Sequence, residues 1–136
     1  METVLYPEQY KLIYNISFLC LISSIYAVYQ RHYLLSIIPG GVFLTSINYW
    51  RYPDYSWRRY LDMICVKSAL LYQLYRAYNS QYMIPYYSLM LFTVSMYPLG
   101  IYFYKKKLLW HSTYAHCILH ITANISTIIL YSGRIK

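Results

Sequence analysis

Five long apolar runs, separated by short charged or turn-forming breaks, constrain this chain more than any other feature. They cover roughly Leu12–Tyr29, Tyr33–Trp50, Tyr60–Tyr78, Tyr82–Tyr104 and Leu108–Tyr131 of 136 residues. A helix rises about 1.5 Å per residue, so runs of this length can cross about 30 Å of hydrocarbon. Water is absent there, and each backbone N–H and C=O must find its partner within the segment, which leaves helices. The expected fold is therefore all-α, a polytopic transmembrane helix bundle of about five spans forming a single domain over residues 1–136. The breaks fall at Gln30-Arg31-His32, Arg51-Tyr52-Pro53-Asp54, Asn79-Ser80 and Lys105-Lys106-Lys107. The third run is the weakest, because Asp62, Lys67, Gln73 and Arg76 interrupt it.

Composition agrees: 59% of residues are hydrophobic and only 12% charged, about half the charged share of an ordinary soluble domain. The net charge of +8 does not point to nucleic acid, since the cations flank apolar runs instead of covering a polar helical face. Lys11, Arg51, Arg58, Arg59 and Lys105–Lys107 fall on one side of the expected topology, and Arg31, Arg76, Arg134 and Lys136 on the other, with Lys67 inside the third span. Cytoplasmic loops carry the excess of Lys and Arg, which places the N-terminus in the cytoplasm and the C-terminus across the membrane. The opening residues Met1 to Glu8 carry two acidic groups where a cleavable signal carries positive charge, so the first run is expected to be retained as a span. The 21 tyrosines suit the water–lipid boundary, but AT-rich codon usage gives the same excess and they indicate no chemistry. Cys20, Cys65 and Cys117 lie singly in apolar runs and read as small buried hydrophobes.

His116, His120 and Asn124 stand four residues apart in the last run, one polar stripe on one helical face. Ionisable groups inside a membrane are costly and turn toward protein, which makes this stripe the first place to look for function. Two histidines at this spacing can grip one metal ion, but a catalytic zinc takes three protein ligands and leaves an open position. The same stripe reads first as an interhelical hydrogen-bond ladder, ahead of the metal, and a proton relay is a third possibility. His111 points about 140° away from His116, and His32 belongs to the other side. Asp62 enters the same end as His116, about 3 Å deep against about 12 Å, and Lys67 sits about 10 Å deep. Arg58 and Arg59, four and three residues before Asp62, can also hold it in an interfacial ion pair. Pro39-Gly40-Gly41 reads as a loosened helix and a place of close helix approach. Only Glu2, Glu8, Asp54 and Asp62 are acidic, which excludes paired-carboxylate catalysis in practice. No Gly-rich phosphate loop, nucleophile elbow or HExxH motif occurs.

Ser46-Ile47-Asn48-Tyr49-Trp50, Leu61-Asp62-Met63 and His116-x-x-x-His120 together resemble a reduced form of the CREST superfamily, which includes alkaline ceramidases and adiponectin-receptor-type proteins. The resemblance implies a helical membrane hydrolase of lipid amide or ester bonds, with His116 and His120 on zinc and Ser46 and Asp62 at the catalytic places. Trp50 departs from the pattern, standing where that superfamily has its third metal-binding histidine, and five spans replace the usual seven. The stretch from Ser46 to Asp62 gathers Trp, Tyr and Arg around a proline turn, and Arg51, Arg58, Arg59, Lys105, Lys106 and Lys107 are placed to meet anionic lipid headgroups.

The expected function is accordingly a structural or interaction role, with lipid or helix-packing protein partners, and no cofactor or demonstrable catalytic centre. The rival is the zinc-dependent hydrolase; third comes a transporter or proton relay, disfavoured by the scarcity of buried acids.

Overall fold

A computed structural model describes residues 3–135 as α-helices joined by short turns, with no strand among the described residues. Met1, Glu2 and Lys136, which enter the leader and charge readings above, lie outside the described residues. The helices are α1 (Pro7–Ile16), α2 (Leu19–Tyr29), α3 (Tyr33–Trp50), α4 (Trp57–Ala77), α5 (Met83–Lys105) and α6 (Leu109–Tyr131). Pro7 opens α1, where its missing N–H costs no hydrogen bond. Between α1 and α2, Ser17 and Phe18 keep right-handed helical dihedrals, so the two pieces continue as one rod over residues 7–29. Ser17 Oγ donates back to the Ile13 carbonyl at 2.8 Å, a contact that bends helices. Five rods result, and their limits match four of the five apolar runs to within three residues. The first begins five residues earlier than its run because Pro7 and the amphipathic turn that buries Gln9 and Ile13 extend it.

Three rods end on a non-glycine residue in the left-handed region: Arg31 (φ 65°), Asn79 (φ 61°) and Lys107 (φ 61°). After α2 the His32 N–H reaches the Ala27 carbonyl at 2.8 Å, and after α5 the Leu108 N–H reaches Phe103 at 2.9 Å. These bonds close the helix ends as a Schellman motif does, at positions where glycine is normally preferred. Lys107→Gly is therefore expected to stabilise the protein by about 1 kcal/mol, read as a higher unfolding midpoint in detergent.

Val4 N–H bonds to the Pro53 carbonyl at 2.9 Å, and the Tyr55 and Tyr104 hydroxyls meet at 2.8 Å, gathering the N-terminal segment, the α3–α4 connection and the end of α5. At the other end His32 Nε2 lies 3.2 Å from the Gly133 carbonyl, and Gln81 and Arg134 bond to each other through backbone N–H and carbonyl at 2.9 Å. The rods thus run alternately up and down. α6 is the hub: it packs on α5, on both parts of the first rod, and buries nine of its 23 residues.

Pro39 cannot donate to the Leu35 carbonyl one turn back, and the Tyr131 hydroxyl lies 3.2 Å from that oxygen. A Cβ on Gly40 would stand 3.1 Å from Ser24 Oγ, so the glycine marks the close approach of α2 and α3.

The interior mixes two apolar clusters, one around Leu35, Tyr86, Leu130 and Tyr131 and one around Ile13, Tyr49 and Trp50, with buried polar side chains. Ser23, Ser46, Asp62, Gln73, Thr93, His120, Asn124 and Thr127 are all buried. Outside, Ile25 (61% exposed), Ile37 (65%), Leu44 (62%), Ile84 (71%) and Leu91 (76%) point away from the protein. The first rod and α6 are long and apolar enough to cross a membrane, with mean hydropathy 1.7 and 1.2.

Candidate functional site

All five rods contribute to the polar interior, with Thr93 of α5 bonded to Thr122 of α6 at 2.7 Å. α4 begins at Trp57, so Asp62 sits five residues into the helix, about 7.5 Å along its axis from the start, where a helix beginning at Tyr60 predicted about 3 Å. Its Oδ1 accepts bonds from Thr45 Oγ1 at 3.0 Å and Ser46 Oγ at 3.1 Å, and only 8% of the residue is exposed. The expected ion pair with Arg58 or Arg59 is replaced by this hydroxyl cradle. Arg58 instead pairs with Asp54 at 3.2 Å and donates to the carbonyls of Asn48 (2.6 Å) and Tyr52 (2.7 Å), stapling the α3–α4 connection. Helical side chains lean toward the N-terminus, which carries Arg58 back to Asp54 and away from Asp62. The Arg59 guanidinium lies 5.5 Å from the Tyr55 ring centre and 5.7 Å from that of Tyr60.

At this connection the Ser56 hydroxyl, donating to Asp54 Oδ1 at 2.5 Å, is the main cause that holds the Asp54 carboxyl below its ordinary value of 3.8, with Arg58 adding to it. A carboxyl lowered on folding stabilises the folded form above its unfolded value and loses that contribution as pH falls through its native one. The acid limb of stability, followed by tryptophan emission below about pH 4, is therefore expected to flatten in Asp54→Asn.

Along α6, His116 Nε2 and His120 Nε2 lie 3.1 Å apart, so one imidazole donates and the other accepts. Asn124 continues the stripe: its Nδ2 donates to the His120 carbonyl at 2.8 Å, and its Oδ1 accepts from Ser23 Oγ at 2.6 Å. Cys20 Sγ lies 3.7 Å from the same amide nitrogen. The Trp50 indole meets the His116 ring edge-on, centres 4.9 Å apart. Ser46 and Trp50 are one turn apart on α3, so one face of that helix touches Asp62 of α4 at one level and His116 of α6 at the next. The three segments that carry the family resemblance thus meet in space. His111 lies outside, against Phe103.

Two nitrogens of a tetrahedral zinc site with bonds of about 2.0–2.1 Å stand about 3.3 Å apart, and the imidazole pair is close to that spacing. The rest of the donor set does not fit. Among the described residues no group of three His, Cys, Asp or Glu side chains could hold a metal ion. Trp50 occupies the near side of His116, and Asp62 is turned to Thr45 and Ser46.

A second polar cluster, unforeseen in the sequence, centres on Gln73. Its Nε2 donates to Tyr86 Oη (3.1 Å) and Thr127 Oγ1 (3.0 Å), while its Oε1 accepts from Tyr131 Oη at 2.5 Å. Read from the sequence as a flaw in the third run, Gln73 ties α4 to α5 and α6. At that end of the bundle two shallow clefts of about 470 and 360 Å³ adjoin His32; Asn79, Gln81 and Arg134 line the first, Arg31 and Arg76 the second. At the opposite end Arg51, Lys105, Lys106 and Lys107 are exposed. No family model, curated protein or solved structure matches the chain.

Proposed function

We propose that this chain is a five-span membrane protein whose buried polar side chains lock a helical scaffold for lipid or protein partners, and that it performs no metal-dependent hydrolysis. The observation that carries the reading is the indole of Trp50 against His116, on the face of α3 where a third metal ligand would have to stand. The imidazole pair then serves as one rung of a ladder that Asn124 and Ser23 extend toward α2. Support for five spans comes from the exterior, where Ile and Leu are exposed along the rods and would aggregate in water, and from the hydroxyl, amide and imidazole groups buried between helices beside the apolar core. The bond from Ser46 to Asp62 supports reading the resemblance as a CREST-type arrangement without its metal. Seven cations at the N-terminal end support a cytoplasmic N-terminus in this reading, with Arg51, Arg59 and Lys105–Lys107 as the residues that would meet anionic headgroups.

The rival zinc hydrolase draws on the 3.1 Å imidazole spacing. Metal analysis of the detergent-purified chain separates the two: less than stoichiometric zinc, unchanged in His116→Ala and His120→Ala, is expected. One zinc per chain, lost in both variants, would overturn the proposal.

A further inference from the structure

α4 presents an outward face that the bundle leaves uncovered. Trp57 (68% exposed), Tyr60 (58%), Ile64 (64%), Leu71 (68%) and Tyr75 (76%) follow one another at three- and four-residue steps along it. Lys67, also exposed, fills the step between Ile64 and Leu71. The face is apolar along its length, aromatic at both ends, and carries one cation at its centre. A period near 3.5 residues is the seam spacing with which one helix packs against another.

Lys67 is ten residues from Trp57 and ten from Ala77, so its Cα is about 15 Å from either end of the helix. An extended lysine reaches about 6 Å and cannot bring its ammonium to the headgroups from that depth. A cation held there is expensive unless it is paired. The described residues do not supply the partner: none of their acids pairs with Lys67, and Asp54 is taken by Arg58. Glu8 lies in the first turn of α1 and Asp54 in the α3–α4 connection, both at the cytoplasmic end. Asp62, five residues and about 140° round the helix from Lys67, is buried under Thr45 and Ser46. The described acids of a second copy lie at the same depths, and so bring nothing negative to mid-bilayer.

We propose that this face of α4 docks a transmembrane helix of a different protein, one that carries an Asp or Glu near the bilayer midplane and pairs it with Lys67. The proposal rests on the five-span reading and names the partner that reading leaves open. Charge complementarity sets the depth and register of the contact, and the Ile64–Leu71 stripe supplies the packing.

The test uses the full chain in phosphatidylcholine vesicles with a leucine-rich transmembrane peptide bearing one central Asp, association being read by energy transfer between dyes. The Asp peptide is expected to bind about tenfold or more tightly than a central-Leu control. Lys67→Leu should bring it down to the control, Lys67→Arg should preserve it, and moving the Asp two turns off centre should abolish the preference. Equal binding of the two peptides to the native chain, or an Asp preference that survives Lys67→Leu, would overturn the proposal. So would energy transfer between two copies of the chain that Lys67→Leu abolishes, which would make the occupant a second copy. Leu71→Cys in a Cys65→Ala background distinguishes the two levels of failure. Rapid labelling by an aqueous maleimide in intact vesicles would remove α4 from the bilayer and sink the five-span reading, whereas protection without peptide preference would remove the docking alone.

Discussion

Trp50→His is expected to convert a chain without stoichiometric zinc into one that binds about one ion per copy. The substitution removes the indole that lies 4.9 Å, centre to centre, from the His116 ring and puts an imidazole on the same face of α3. Two Nε2 atoms already converge at 3.1 Å, and a third nitrogen completes the set that zinc sites with an open position use. Loss of a supporting outer-shell group alone costs 10–100-fold in affinity, so gain of a direct ligand should exceed on the order of a hundredfold. Titration with a competing chelator measures it. His120→Ala in the Trp50→His background should cancel the gain, and Trp50→Phe should produce none. A native chain that already holds zinc as tightly as the variant would show that Trp50 does not close the site.

Gln73→Leu is expected to destabilise the bundle by about 2–4 kcal/mol, from three interhelical bonds worth about 0.6 kcal/mol on average and up to about 1.7 each within a membrane. The amide joins Tyr86, Thr127 and Tyr131, and removing it leaves those hydroxyls facing an apolar side chain. The damage reaches α3 as well, because Tyr131 Oη also supplies the Leu35 carbonyl that Pro39 cannot serve. Tyr131→Phe should cost less, about 1 kcal/mol, and the two changes together less than their sum, since they share one bond. Unfolding in graded denaturing detergent, for each single variant and the pair, gives the comparison. Full additivity would mean that the two residues do not belong to one network.

How much of this was legible in the sequence depended on whether a property is local. Helix limits were: in a run such as Tyr33–Trp50 the backbone bonds are made within the segment, the Leu35 carbonyl opposite Pro39 excepted, so composition and turn residues set the ends. The stripe His116–His120–Asn124 was legible for the same reason, since a spacing of four fixes a shared face. Partners across helices were not. Ser23 sits in an apolar run with nothing to mark it, and it becomes the partner of Asn124 only because the first rod packs beside α6. Asp62 was read with Arg58 and Arg59, its neighbours in sequence, whereas Thr45 and Ser46 arrive from another helix. Gln73 shows the limit most clearly, because a residue that weakens a span judged alone strengthens one judged in its bundle. The outward direction of Lys67 was recoverable in principle, as five residues from a buried Asp62 is nearly half a turn round the helix.

Hydrocarbon is expected to surround the apolar exterior of the bundle while the polar stripe of α6 faces inward. Spin labels placed singly along α6 from Thr113 to Thr127, in lipid bilayers, measure this directly through collision with oxygen, which concentrates in lipid, and with a water-soluble nickel complex. Oxygen contact should rise at Tyr114, Ile118, Ile121 and Ile125, which are 54%, 41%, 39% and 49% exposed, and fall at Ala115, His120 and Asn124, with a helical period and little nickel contact at any position. Strong nickel contact at Ile118, Ile121 and Ile125, or an oxygen maximum on the His120 face, would contradict it.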